Sequence, residues 1–322
     1  MLVTIDDIRR AADVVDGVVV RTPVVGSPAR PGLLVKAESL QPTGAFKVRG
    51  AVNAIASLSD DARAAGVVTH SSGNHGQALA WAARRAGIPC VVVIPDGAAP
   101  VKIEAVRRLG AAVELVPAAQ REERARQIAD ERGLTLVPPY DHPHIIAGQG
   151  TVGLEILADV PSPAAVLVPV GGGGLASGVA TAVKALAPAT RVIGVEPELA
   201  ADAAESLAAG RRVAWPVEQT GRTVADGLRT GLSDLTYAHL SAYLDGIVTV
   251  TEAEILSTVG ILAREYRLVA EPSGAVAPAA WLHHEASLRD RFGLGDAPPD
   301  APVVAVVSGG NLDPALLASV LT

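Results

Sequence analysis

Four short segments carry residue types whose spacing suits chemistry. The first runs Glu38-Ser39-Leu40-Gln41-Pro42-Thr43-Gly44-Ala45-Phe46-Lys47-Val48-Arg49-Gly50-Ala51. A strand pattern ends at Ala37, turn residues follow, and Lys47 stands at the start of a helix expected over Val48–Leu58. A lysine there lies near a sheet's end and close to a positive helix dipole, which favours the neutral amine and so a Schiff base. A lysine on a helix's first turn is more commonly a plain surface residue, and this segment alone leaves both readings open. The second segment is Thr69-His70-Ser71-Ser72-Gly73-Asn74-His75-Gly76-Gln77, between a strand and a helix. Small residues there leave backbone N–H groups free at a helix N-terminus, which suits a carboxylate or a phosphate; Ser and Asn also serve there as ordinary caps. No Gly-x-Ser-x-Gly is present, against a hydrolase nucleophile, and no His-Glu-x-x-His backs His70 and His75 as a zinc pair. The third segment, Gly171-Gly172-Gly173-Gly174-Leu175-Ala176-Ser177-Gly178, follows a strand and lets main-chain donors wrap a phosphate. It lacks the Gly-Lys-Ser/Thr of a nucleoside triphosphate loop. Glu196, about 20 residues on, keeps a dinucleotide reading level with a simple phosphate site. The fourth, Val306-Val307-Ser308-Gly309-Gly310-Asn311, puts a hydroxyl at the end of the last apolar strand, where parallel sheets bind ligands.

These segments must be held by the elements around them. Strands are expected over Leu34–Ala37, Gly66–Thr69, Cys90–Ile94, Ala112–Val116, Ala165–Val170, Arg191–Val195, Ile247–Val250 and Val303–Val307. They are mostly continuous runs of Val and Ile, the pattern of parallel strands buried on both faces. Helices are expected over Asn74–Ala86, Pro100–Leu109, Arg121–Arg132, Leu175–Ala187 and Thr251–Glu265, the last opened by the capping box Thr251-x-x-Glu254. Alternating strands and helices imply an α/β fold, with one sheet from about Gly66–Val116 and a second from about Ala165–Val307. The Pro-rich stretch Ala297–Pro302 reads as a surface loop.

Composition narrows the function classes. With 27 basic and 34 acidic residues, the net charge of −7 argues against nucleic acid or an anionic membrane as a partner. The single cysteine, Cys90, excludes an intrachain disulfide and a cysteine-based zinc site. An uncharged stretch from Val160 to Val183 is long enough to cross a membrane, but Pro161, Pro163, Pro169 and four glycines make it a strand, a loop and a buried helix. Acids stand where a signal peptide carries bases, so a cytoplasmic protein is expected. The four lysines are Lys36, Lys47, Lys102 and Lys184, and this scarcity makes a lysine in a special setting more informative.

Taken together, the four segments resemble the serine/threonine dehydratase family of fold-type II pyridoxal-phosphate enzymes, which includes serine racemases. The resemblance runs from Ile8 to about Ala315; Ile146-Ala147-Gly148-Gln149-Gly150-Thr151 and Ala270-Glu271-Pro272-Ser273-Gly274-Ala275 add to it. Val48 sides with the dehydratases, since cysteine and threonine synthases usually show Lys-Asp-Arg there. The resemblance implies two three-layer α/β domains with mostly parallel sheets, as in tryptophan synthase β: residues 1–56 with 145–322, and 57–144. It implies pyridoxal 5′-phosphate on Lys47 as an imine, with Phe46 on its ring, Asn74 at the ring hydroxyl, Gly171, Gly172, Gly173, Gly174 and Leu175 around the phosphate, Ser308 facing the pyridine nitrogen, and Glu271 nearby. Ser72 is implied as the acid/base opposite Lys47, and Ser71, Ser72, Gly73, Asn74 and His75 as the receiver of the substrate carboxylate. Glu196, the Ala200 carbonyl and Asp202 match a divalent-metal site for Mg²⁺ or Ca²⁺, which takes Glu196 away from the dinucleotide reading. The implied function is β-elimination from L-threonine or L-serine to a 2-oxo acid and ammonia, by a homodimer. The alternatives are a serine or threonine racemase, or a lyase for another 3-hydroxy amino acid such as 3-hydroxyaspartate. Two departures stand out: Ala45 replaces a common serine, and Pro42 replaces the lysine of the mammalian racemases' nucleotide effector site. Nucleotide regulation is therefore not expected, and with the sequence ending at Thr322, short of the C-terminal regulatory domain of biosynthetic threonine dehydratases, isoleucine feedback is not expected either.

Overall fold

A computed structural model describes residues 1–71, 73–296 and 301–321. Ser72 and most of the expected loop at 297–302 lie outside the described residues. The described strands are β1 (Val24–Gly26), β2 (Leu33–Ala37), β3 (Val67–His70), β4 (Cys90–Pro95), β5 (Ala112–Val116), β6 (Thr135–Leu136), β7 (Ala165–Pro169), β8 (Arg191–Pro197), β9 (Gly246–Val250) and β10 (Val303–Val307). They form two sheets. One has the order β1-β2-β10-β7-β8-β9, the other β5-β4-β3-β6. Every pairing is parallel except that of β1 with β2. β7 and β10 are buried at every residue, as their unbroken apolar sequences require. β5 departs from that expectation. It is the edge of its sheet and is half-exposed along its length, with Leu115 open to solvent. A one-dimensional apolar run cannot reveal which strand ends up at an edge.

The helices that position the site are α1 (Ile5–Val15), α2 (Lys47–Ala56), α3 (Asp60–Ala65), α4 (Asn74–Ala86), α5 (Pro100–Arg108), α6 (Arg121–Arg132), α7 (Pro143–Asp159), α8 (Gly174–Leu186) and α9 (Asp202–Ala209). The expected capping box is present: Thr251 Oγ1 accepts from the Glu254 amide at 3.2 Å, and the Glu254 carboxylate accepts from the Thr251 amide at 2.8 Å. The uncharged stretch from Val160 resolves into β7, the glycine loop and α8. No described helix is long and apolar enough to cross a membrane.

Helix α7 wedges between α2 and α8, and glycines make this possible. A Cβ on Gly148 would lie 2.6 Å from Gly50 Cα, and one on Gly178 would lie 2.3 Å from the Ile146 carbonyl. Backbones thus touch where any side chain would force the helices apart. The motif Ile146–Thr151 serves this packing, and through it the helix carrying Lys47 and the helix behind the glycine loop share one neighbour.

Candidate active site

Lys47 opens α2, and Phe46 before it is tied to the end of β10 by its amide, which donates to the Ser308 carbonyl at 3.0 Å. The Lys47 side chain is half-buried, with Nζ donating to the Pro139 carbonyl at 2.7 Å and lying 5.0 Å from the Phe46 ring centroid. Desolvation lowers its pKa from 10.5 to about 8. The other lysines are engaged elsewhere: Lys36 with Glu155 at 2.6 Å, Lys102 with Asp226 at 2.8 Å, and Lys184 with Asp245 at 2.6 Å. Behind Lys47 lies a buried ionic cluster. Arg49, with no exposed surface, donates to both oxygens of Glu38 at 2.8 Å, to Glu155 at 2.7 and 2.8 Å, and to Thr151 Oγ1 at 3.1 Å. This cluster fastens the first turn of α2 to the end of β2 and to α7.

Three polar side chains meet at the N-terminus of α4. Asn74 Nδ2 donates to Glu271 Oε1 at 2.6 Å, and Asn311 Nδ2 donates to Asn74 Oδ1 at 2.7 Å and to the Thr43 carbonyl at 2.9 Å. The Asn74 amide is thereby fixed in orientation, with one Nδ2 hydrogen left for a ligand. Burial, reinforced by the charge of Asp226, pushes the Glu271 carboxyl up to about 8, so it is protonated at neutral pH. Ser308 is buried at the end of β10, and among the described residues its Oγ makes only a 3.4 Å contact with the Ser273 carbonyl.

The glycine loop leads into α8. Among the described residues, the amides of Gly171, Gly172, Gly173, Gly174, Leu175 and Ala176 donate to no protein acceptor. That is a row of free N–H groups at a helix N-terminus. The Tyr140 ring lies against the loop: a Cβ on Gly172 would stand 2.4 Å from it. The segment Val137–Tyr140 therefore touches both Lys47 and the glycine loop, and sequence reasoning missed it. The available signal was the tandem Pro138-Pro139 beside an aromatic residue in a chain with 3% aromatics.

At the N-terminus of α4, the amides of Asn74, His75 and Gly76 likewise donate to no acceptor among the described residues. The His75 side chain does not line this opening; it turns inward and is buried. At the end of β8, the Glu196 carboxylate accepts from the amides of Ala203 and Ala204 at 3.0 and 2.7 Å, capping α9. Burial and the nearby charge of Asp202 raise its pKa well above the usual carboxylate range. Asp202 is also buried, desolvation raises it to about 6, and its Oδ2 has no partner among the described residues. No group of three or more His, Cys, Asp or Glu among the described residues converges as a metal cage. A cation there would also need the Ala200 carbonyl and water.

A lysine shifted toward neutrality, joined by one short segment to a row of free helix-terminal amides, defines an α/β enzyme able to hold a phosphate-bearing carbonyl compound. The family model described as "Pyridoxal-phosphate dependent enzyme" matches residues 15–311, and the chain belongs to that family. It is 41% identical to a serine racemase of Arabidopsis thaliana over 317 residues, covering 95% of this chain and 92% of that one. It is 42% identical to a beta-hydroxyaspartate dehydratase of Paracoccus denitrificans over 284 residues, covering 87% and 86%. The crystal structure of a T.th. threonine deaminase superposes with a TM-score of 0.87 at 42% identity, covering 96% of this chain and 99% of that one. Fold-type II pyridoxal-phosphate enzymes of this kind include both lyases and racemases.

Proposed function

We propose that the protein is an ammonia-lyase that converts L-threonine or L-serine to 2-oxobutanoate or pyruvate and ammonia. The observation that carries this reading is Lys47, its pKa lowered to about 8, joined through residues 137–140 to the free amides of the glycine loop. At neutral pH about one lysine in ten is then an unprotonated amine, about 300-fold more than at a pKa of 10.5. Pyridoxal phosphate, when bound, supplies an electron sink for the substrate's α-carbon. The residues present fit it. Lys47 offers the amine for its carbonyl, the amides from Gly171 to Leu175 suit its phosphate, and Phe46 offers a ring face. Asn74, oriented by Asn311 and the protonated Glu271, presents one N–H to the ring hydroxyl. Ser308 offers the ring nitrogen a hydroxyl and no charge, which keeps the sink weak and favours expulsion of a β-hydroxyl. The free amides of α4 hold the substrate carboxylate, and Lys47 Nζ, once released, takes the α-proton.

Ser72 is proposed as the acid/base on the opposite face, from its place in the sequence; a proton returned there gives racemisation. The two sheets support a division into residues 1–56 with 145–322 and residues 57–144. The unpartnered Asp202 Oδ2 supports Mg²⁺ or Ca²⁺ at Glu196, the Ala200 carbonyl and Asp202. A second reading, a lyase for a 3-hydroxy dicarboxylic amino acid, is favoured by Arg121. The side chain of this half-buried residue makes no ion pair or hydrogen bond among the described residues, and its charge acts on both His70 and Tyr140. The test is release of ammonia and 2-oxo acid from serine, threonine and 3-hydroxyaspartate, with chiral analysis of the remaining amino acid. Preferred turnover of 3-hydroxyaspartate selects the second reading, and inversion without 2-oxo acid selects a racemase. No turnover of any of them sinks all three.

A further inference from the structure

The opening that faces the substrate and the lysine are joined by one buried histidine. His75, in the first turn of α4, is 2% exposed, and its Nε2 lies 3.0 Å from the Val137 carbonyl oxygen. A carbonyl only accepts, so Nε2 carries the hydrogen and Nδ1 is left as an acceptor; Nδ1 is buried with no partner among the described residues. Burial, then the charge of Lys47, lowers the ring's pKa to about 3, so it is neutral. Two residues beyond Val137, the Pro139 carbonyl receives Lys47 Nζ at 2.7 Å. The residues between the two contacts are Pro138 and Pro139, whose rings fix φ. The two carbonyls are therefore held in a stiff relation, and a shift of Val137 is passed to Pro139. The next residue, Tyr140, closes against Gly172 and Gly174.

We propose that His75 is a positioning residue for Lys47: by holding the Val137 carbonyl it fixes the Pro139 carbonyl that receives the lysine's amine. The α4 terminus and the lysine are thus coupled through one strap, residues 137–140. The proposal rests on Lys47 being the residue that binds pyridoxal phosphate. Among the described residues, the titratable and charged groups facing the pair are few. They are His70 at the end of β3, which lies in the fields of Glu122, Arg121 and Arg126 of α6, and Tyr140 on the strap, which lies in those of Glu122, Asp141, Asp202 and Arg121.

The experiment uses the full chain, freed of cofactor and reloaded with pyridoxal phosphate across a pH series. The rate at which the visible band returns reports the unprotonated fraction of the lysine. Wild type should show a midpoint near the lysine's value of about 8. His75→Leu frees the Val137 carbonyl, while the Val137 amide still donates to the Val68 carbonyl at 2.9 Å. The ammonium loses its fixed acceptor, and the midpoint should fall by about 0.5–1 pH unit. His75→Gln, whose amide nitrogen can still reach Val137, should restore it. A folded His75→Leu with the wild-type midpoint overturns the proposal, even if its melting temperature has dropped, because packing alone would lower only the latter. Should His75→Leu fail to fold, His75→Asn, whose amide falls short of Val137, gives the same reading. Lys47→Ala run alongside keeps the two claims apart: a band that still forms there refutes the lysine assignment itself.

Discussion

Replacing Arg49 with methionine tests whether the ionic cluster behind Lys47 holds α2 in place. Arg49 and Glu38 have no exposed surface, and Lys36, also fully buried, sits on the other side of Glu155. Removing the guanidinium leaves the Glu38 carboxylate buried with hydrogen bonds from Thr22 and Gln41 and only the more distant charge of Lys36. Breaking a buried pair from one side costs about 3–5 kcal/mol. With unfolding entropy of about 2 cal/mol/K per residue, a chain of 322 residues should lose about 4–7 °C in melting temperature. The pH dependence gives a sharper sign. In the wild type, burial raises the Glu38 pKa, but the charge and hydrogen bonds of Arg49 outweigh it and the net shift is downward. That contribution is full above the unfolded value of about 4.3 and is lost only as pH falls through the lower folded value. In Arg49→Met, burial dominates and the folded pKa rises above the unfolded one. The variant's penalty is then largest at high pH and fades as pH falls through that raised value. Calorimetry of both proteins from about pH 7 to about pH 5 should show the melting-temperature gap narrowing. A gap under about 1 °C at neutral pH, or one that widens with acid, would refute the reasoning.

Borohydride reduction and peptide mapping of the loaded enzyme should label Lys47; a label on Lys36, Lys102 or Lys184 contradicts the assignment. Gly172→Ala sets a Cβ 2.4 Å from the Tyr140 ring and should weaken pyridoxal-phosphate binding at least about 10-fold by equilibrium titration. Adding Tyr140→Leu should recover part of that loss, and no recovery would mean the ring is not the obstacle. Ser72→Ala should suppress reactions of D-amino acids far more than deamination of L-threonine, whereas equal loss on both enantiomers would show that Ser72 serves no single face. Chelator should lower the melting temperature and Mg²⁺ restore it, because only the folded chain presents Glu196, Ala200 and Asp202 together. Glu196→Ala should abolish that response, and a wild type indifferent to both treatments has no such site.

Features set by near neighbours in the chain were legible before any packing was known. The glycine run could only be a close-approach loop, Thr251-x-x-Glu254 could only cap a helix start, and the strands at Ala112–Val116 and Val303–Val307 and the helices at Asn74–Ala86 and Arg121–Arg132 fall where their patterns put them. Lys47 and Ser308 were legible as candidates because they lie near the carboxyl ends of strands, where parallel sheets present ligand-binding groups, and Asn74 because the segment around it resembles a known family's motif. What the sequence left undecided depends on residues far apart in the chain. Lys47 meets Pro139, Arg49 meets Glu155, and Asn74 meets Glu271 only once two sheets and α7 have packed. The fate of Glu196 was likewise undecided until the start of α9 delivered two amides to its carboxylate. β5 became an exposed edge because nothing in five apolar-leaning residues says whether a neighbour will arrive on the far side. Local pattern sets backbone conformation through sterics and hydrogen bonding of near neighbours. The depressed pKa of Lys47 and the raised one of Glu271 come from desolvation, a property of the whole fold that no residue carries alone.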